Sequence, residues 1–226
     1  MKKLLGVLAV AFAMVSMSQA HFVYVVPDTN GTTAKVIFSD NLKPDEKVNI
    51  EKIANTKLTM ISDSKAKAID MKLDKTTNCY IVEVPGEGTR VVGGTTNYGV
   101  LQRGETPAFW LMYHPKAIVG PIAGVDQPML GEKVPLELTA TVKEGKLHFQ
   151  AFLKGKPLPK AELTVTPPEG ESATVATDDK GMCPGTMKTG TYAVRVKYED
   201  MTKGEETGKK FESIRHYATL IVNWSK

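Results

Sequence analysis

The sequence predicts an all-β protein made of two β-sandwich domains, and three observations predict it. After residue 20, short segments rich in Val, Ile, Thr and Tyr alternate with Gly, Pro, Asn and Asp turns along almost the whole chain. No stretch carries the apolar spacing of an amphipathic helix of ordinary length, and residues 43–53 hold one helical turn at most. In the second half the alternation becomes strict, with one apolar and one polar face per segment, as in a sandwich sheet.

The chain opens with MKKLLGVLAVAFAMVSMSQA, which reads as a secretory signal peptide over residues 1–20. Lys2 and Lys3 form a positive start, residues 4–15 an apolar stretch, and Ser18 and Ala20 the small residues that signal peptidase needs. The stretch is too short and wrongly flanked for a membrane anchor, and no second apolar run of spanning length follows. Cleavage after Ala20 makes the expected product soluble, periplasmic or secreted, without direct membrane insertion, and gives it His21 as its first residue. The leader holds two of the 29 Lys and Arg and none of the 25 Asp and Glu, so the formal charge falls from +4 to +2. The remaining charges are interspersed and form no basic cluster, so nucleic acid is not an expected partner.

The first domain is expected over residues 21–130, with strands at 22–26, 34–38, 57–61, 79–84, 91–95 and 108–113. Pro115 is expected to end the last of these. The Gly- and Pro-rich segment from 115 to 133 then reads as a linker or docked loop. The second domain is expected over 131–226. LELTATV puts Leu136, Leu138, Ala140 and Val142 on one face, and KLHFQAFL puts Leu147, Phe149, Ala151 and Leu153 there, with His148 and Gln150 opposite. YAVRVKY places Tyr192, Val194, Val196 and Tyr198 inward. Cys79 and Cys183 are the only cysteines; export permits a bridge between them, two independent buried thiols are the alternative, and no CxxC suggests a thiolate zinc site.

The order GKPLPKAELTV, TDDKGM, GTYAVRV in the second half resembles immunoglobulin-like sandwiches of the prealbumin and carboxypeptidase-regulatory type, with Lys160 where a glycine is common. The mature chain as a whole resembles the periplasmic family called domain of unknown function 4198, the nickel-uptake substrate-specific-like proteins. The residues that carry this resemblance are AHFVYVVP at the cleavage site, FSDNLKPDEKV in the first domain, GKPLPKAELTV with TDDKG, and the closing RHYATLIV. The resemblance implies metal delivery or sensing beside a membrane metal transporter, with nickel as the ion.

The chemistry of an N-terminal histidine points the same way. The α-amine of His21 and its ring Nδ1 would close one six-membered chelate, and their reference pKa values of about 7.7–8.0 and about 6.5 let a divalent ion displace both protons near neutrality. One further imidazole would complete a three-nitrogen histidine brace, and nitrogen donors in tetragonal geometry favour Cu(II) or Ni(II). Beyond His21 the mature chain holds only His114, His148 and His216. His114 is the first choice of partner, because it shares a predicted domain with His21; His216 is the second; His148, on a polar strand face, reads as a solvated residue. Met112 or Met129 would supply a soft axial sulfur, and Tyr24 or Tyr113 an axial oxygen.

The function expected is therefore a periplasmic nickel- or copper-binding protein whose metal site is His21, His114 and His216, rather than an enzyme. A copper brace oxidase or monooxygenase acting on polysaccharide is one alternative, although only Trp110 and Trp224 are present to build a flat aromatic surface. An interaction module without metal is the other. Asp178 and Asp179 beside Gly181 lack the calcium-loop spacing and read as a turn. No GxSxG, HExxH or phosphate-loop pattern is present, and Gly93 and Gly94 precede no helix, so a dinucleotide site is not expected.

Overall fold

The computed structural model describes residues 21–122 and 129–225, and the expected leader lies outside them. The first half of the chain forms β1 (Phe22–Pro27), β2 (Thr33–Ser39), β3 (Lys57–Ser62), β4 (Lys65–Ile69), β5 (Lys72–Asp74), β6 (Cys79–Glu83), β7 (Arg90–Leu101) and β8 (Phe109–Val119). The second half forms β9 (Leu136–Lys143), β10 (Lys146–Leu153), β11 (Lys156–Pro157), β12 (Glu162–Thr166), β13 (Ala173–Ala176) and β14 (Gly190–Asp200). The small hairpin of β15 (Gly204–Glu206) and β16 (Lys209–Phe211) follows, and then β17 (Ser213–Trp224). Two single 3-10 turns, Ile50–Ile53 and Gly131–Lys133, are the helical elements of the described residues. None of their helices is long and apolar enough to cross a membrane.

The sheets stack in three layers. A four-stranded sheet, in the order β1-β2-β6-β5, lies on one side, and a three-stranded sheet, β11-β10-β9, on the other. Between them runs an eight-stranded sheet in the order β13-β12-β14-β17-β8-β7-β3-β4. Strand β1 packs on β8 and β17 from one side, and β9 packs on β17, β14 and β8 from the other. Each interface has its own core. Phe22, Val23, Phe38, Leu111, Tyr113 and Ile221 belong to the first, while Ile118, Leu138, Phe149, Val194, Leu220 and Val222 belong to the second. Alternation along the shared strands divides the two: Leu111, Tyr113 and Ala117 face the first core from β8, and Ile118 faces the second.

Both sandwich interfaces expected from the sequence are thus present, but they share a sheet. Strand β17 pairs in parallel with β8, from Ser213 opposite Phe109 to Val222 opposite Ile118. It also pairs antiparallel with β14, from Gly190 opposite Trp224 to Asp200 opposite Ile214. A division of the sequence at residue 130 therefore cuts through one continuous sheet.

Pro115 does not end its strand. Strand β8 continues through it to Val119. The pairing with β7 joins Thr96 to Tyr113 and Gly93 to Lys116 but leaves out the two positions between, so the missing N–H of Pro115 falls in a gap of the ladder. The expected linker accordingly shrinks at its start, because residues 115–119 are strand.

Local rules account for the hairpins. Glu144-Gly145 between β9 and β10, and Lys154-Gly155 between β10 and β11, all have positive φ, which is the two-residue turn whose twist matches that of the strands. The apolar face read in β9, β10 and β14 is buried, at Leu136, Leu138, Leu147, Phe149, Tyr192 and Val194, but on β9 the polar positions Glu137 and Thr139 are buried as well. Cys79 lies in the first core and Cys183 in the second; both are free thiols, with no disulfide between them.

Candidate functional site

His21 immediately precedes β1, and β1 holds it against the parallel β8–β17 pair. Tyr113 Oη, rising from β8, donates to the His21 carbonyl at 3.1 Å. The segment after β2 curls round to meet the ring. Its Asp45 is set in a turn in which Oδ1 accepts from the Lys47 N–H at 2.9 Å. The Asn78 amide ties that turn down by donating to the carbonyls of Asp45 and Val48, at 2.7 and 2.8 Å. Asp45 Oδ2 then lies 2.9 Å from His21 Nε2, with both side chains about a quarter exposed. The hydrogen bond with His21, followed by the one from Lys47, holds the Asp45 carboxyl below its usual range. A carboxylate oxygen only accepts, so Nε2 is the donor, and in the neutral ring the lone pair is then on Nδ1, the nitrogen on the backbone side of the ring.

Beside His21 opens a cavity of about 360 Å³. Aromatic rings form its floor. Phe38 contacts Tyr98 and Tyr113 with centroids 5.4 and 5.8 Å apart, Tyr113 contacts Tyr217 at 5.9 Å, and the His21 ring sits 5.5 Å from Phe38. Its rim is cationic: Lys47, Lys52, Arg103 and Arg215 line it, and no Asp or Glu does. Arg215 lies over the Phe109 ring at 3.7 Å and gives its Nε to Glu199 at 3.0 Å. Burial pushes the Tyr113 and Tyr217 phenols up, so both are neutral OH groups at any ordinary pH.

His114 and His216 are brought together, but away from His21. They are neighbours on β8 and β17, with His114 Nε2 2.9 Å from His216 Nδ1 and the rings stacked 5.2 Å apart. His114 Nδ1 lies 3.2 Å from Thr95 Oγ1. Tyr113 and Tyr217 point to the first core, so by alternation His114 and His216 point to the opposite face of the central sheet. Neither imidazole can therefore join the His21 nitrogens, and the brace expected from His21 with His114 or His216 does not form. The sequence paired His114 with His21 because the two share a predicted domain; β8 runs on through Pro115 and keeps the His114 ring buried on the other face of the central sheet.

The pair is built to be neutral. Burial, with His216 second, lowers the His114 pKa to about 3, and burial lowers that of His216 as well. In the unfolded chain each histidine would take up a proton below about pH 6.5, whereas in the fold His114 resists it down to about 3. The unfolded state therefore binds more protons across that window, so stability is full above the unfolded pKa and is lost as pH falls. Urea unfolding between pH 7.5 and 4.5 is expected to show a loss approaching about 1.4 kcal/mol per pH unit for His114 alone once below about 6. A His114→Asn variant, less stable at pH 7.5, should show a visibly flatter slope; an unchanged slope would assign the acid sensitivity elsewhere.

His148, Tyr24 and Met112 lie on other strands or in the core. His148 Nδ1 lies 3.2 Å from the Cys183 carbonyl, at the seam where the segment after β13 meets β10. Tyr24 is buried in the first core. Met112 is the register partner of His216 on β8. Among the described residues, no group of three or more His, Cys, Asp and Glu is arranged to hold a metal ion. The sequence missed Asp45 and the cationic rim. Asp45 stands inside the FSDNLKPDEKV segment singled out above, but its use as a histidine partner depends on a contact 24 residues away along the chain.

No protein-family model matches this chain, and no curated protein matches it. Among solved structures, a two-domain fibronectin type III segment from chicken tenascin aligns with 12% identity over 87% of this chain and 95% of its own, with a TM-score of 0.21.

Proposed function

We propose that this is an exported, periplasmic protein that binds Ni(II) or Cu(II) at His21 and serves the uptake or handling of that ion beside a membrane transporter. One observation carries this reading: the hydrogen bond from His21 Nε2 to Asp45 Oδ2. A carboxylate that holds one ring nitrogen of a histidine fixes the tautomer and raises the basicity of the other, the usual outer-shell arrangement of a metal-bound imidazole. Here the nitrogen left over is Nδ1, the one that forms a chelate with an α-amine. After cleavage at Ala20 the His21 amine would be that group. Two nitrogens do not fill the coordination of either ion, and the remaining positions would go to water or to ligands that arrive with the ion. Such an open set suits an ion that is handed on.

The test is calorimetric titration of the chain beginning at His21 against the same chain acetylated at the His21 amine. Tight binding of Ni(II) or Cu(II) is expected for the first and a loss of about a hundredfold or more for the second, since acetylation turns the amine into an amide and supplies no new amine to replace it. Asp45→Asn is expected to weaken binding by about ten- to a hundredfold. Equal binding by both chains would remove His21 as the site.

A further inference from the structure

We propose that the cavity beside His21 binds a small organic carboxylate with a flat, largely apolar body. The inference does not rest on the metal reading, because every group it uses is present without the ion.

The charges of the cavity are one-sided. Lys47, Lys52, Arg103 and Arg215 all line it, and no carboxylate is among its lining residues. Acids that stand close are already committed: Asp45 to His21 and Glu199 to Arg215. Lys47, Lys52 and Arg103 make no ion pair with any described residue. Gathering cations around a concave surface costs self-repulsion and focuses a positive potential into it, and an anion relieves both. The same field disfavours a second cation deeper in the cavity.

The floor decides what kind of anion fits. Tyr98, Tyr113 and Tyr217 present ring surface rather than backbone N–H groups, and the one helical element at the cavity is the four-residue 3-10 turn capped by Asn49, too short to cradle a phosphate as a helix N-terminus does. Rings of this kind stack on a flat or apolar body. Tyr113 spends its hydroxyl on the His21 carbonyl, whereas no hydrogen bond to another described residue engages the hydroxyls of Tyr98 and Tyr217. Two phenol O–H groups beside guanidinium groups suit a carboxylate, which accepts on both oxygens. At about 360 Å³ the space lies at the small end of ligand cavities, which run from about 300 to 1,000 Å³. A single ring bearing a carboxylate is the natural size.

The experiment is calorimetry of the whole chain, freed of metal by dialysis against a chelator, with 4-hydroxybenzoate as the probe. Benzyl alcohol serves as its uncharged counterpart and inorganic phosphate as an anion without a ring. Saturable binding of the carboxylate is expected, with each comparison compound about tenfold weaker or worse. The exposed pair Lys52→Gln and Arg103→Gln, introduced together, is expected to weaken it by about tenfold or more and leave thermal unfolding unchanged, since a charge-assisted hydrogen bond contributes about that much. Tyr217→Phe should weaken it by a smaller factor. No saturable binding of the carboxylate, equal binding of benzyl alcohol or of phosphate, or indifference to the double variant would each overturn the proposal. The chain acetylated at the His21 amine should bind the probe as the free-amine chain does, which separates this inference from the metal reading.

Discussion

Replacing Lys116 by Met is expected to destabilise the fold by about 3–5 kcal/mol. Lys116 on β8 and Glu137 on β9 form an ion pair at 2.6 Å, with each side chain about 2% exposed. Methionine fills nearly the same volume, so little of the loss comes from packing. It comes from the Glu137 carboxylate, left in a dry interior without its cation. Burial already depresses the Lys116 pKa, and Glu137 holds it up against that depression. The companion change Glu137→Gln is therefore expected to recover half or more of the loss. Glutamine removes the stranded charge and keeps an acceptor for the Leu130 N–H, which now lies 2.9 Å from Glu137 Oε1. Urea unfolding of the two single variants and the double variant gives the coupling directly. A double variant no better than Lys116→Met would mean that the charge is not what the single change exposes.

Gly94→Ala is expected to be of similar size for an unrelated reason. Strand β7 passes so close to β3 at this point that a Cβ on Gly94 would lie 1.8 Å from the Lys57 carbonyl oxygen and 3.1 Å from the Leu58 Cα. These are backbone atoms, which no rotamer change can move aside. The β3–β7 ladder, which pairs Leu58 with Gly94, must open to admit one methyl group. Overpacking commonly costs about 1–3 kcal/mol, and a clash with main chain belongs at or above the top of that range. Gly145→Ala gives the comparison. A Cβ there meets nothing within 4 Å, and its φ of +70° alone sets an expected cost of about 1–2 kcal/mol. Thermal unfolding of the two variants separates steric exclusion from backbone preference, and equal losses would refute the steric account.

The sequence carried the local half of this architecture plainly. Leu136, Leu138 and Ala140 alternate with polar residues, and they are buried as that alternation requires. The third layer was not legible. The contact between β8 and β17 joins residues a hundred positions apart, and parallel pairing leaves no hairpin signal in either segment. The polar edge strand β4, with its exposed Lys65, Ala66, Lys67 and Ala68, shows no apolar face for a pattern to reveal. His114, His216, Lys116 and Glu137 were hidden for the opposite reason. Polar residues in a strand are read as facing water, yet each of these is buried because a partner from another strand satisfies it. At the candidate site, His21 could be picked out from the cleavage pattern alone. Asp45 and the cations around the cavity could not, because the groups that meet there come from the start of β1, the loop after β2, the end of β7 and β17.

The position of β17 also dictates an order of events. Ala218, Leu220 and Val222 close one core and Ile221 closes the other, and all four sit on a strand flanked on both sides. A ribosome delivers these residues after everything they must pair with. Until residues 213–224 emerge, β8 and β14 both present open edges, and neither interior is sealed. The central sheet therefore cannot be completed before β17 is made, because β17 is the strand that joins β14 to β8. Assembly then waits on contacts of very long sequence separation, which places this protein among slow folders, on the scale of about milliseconds to seconds.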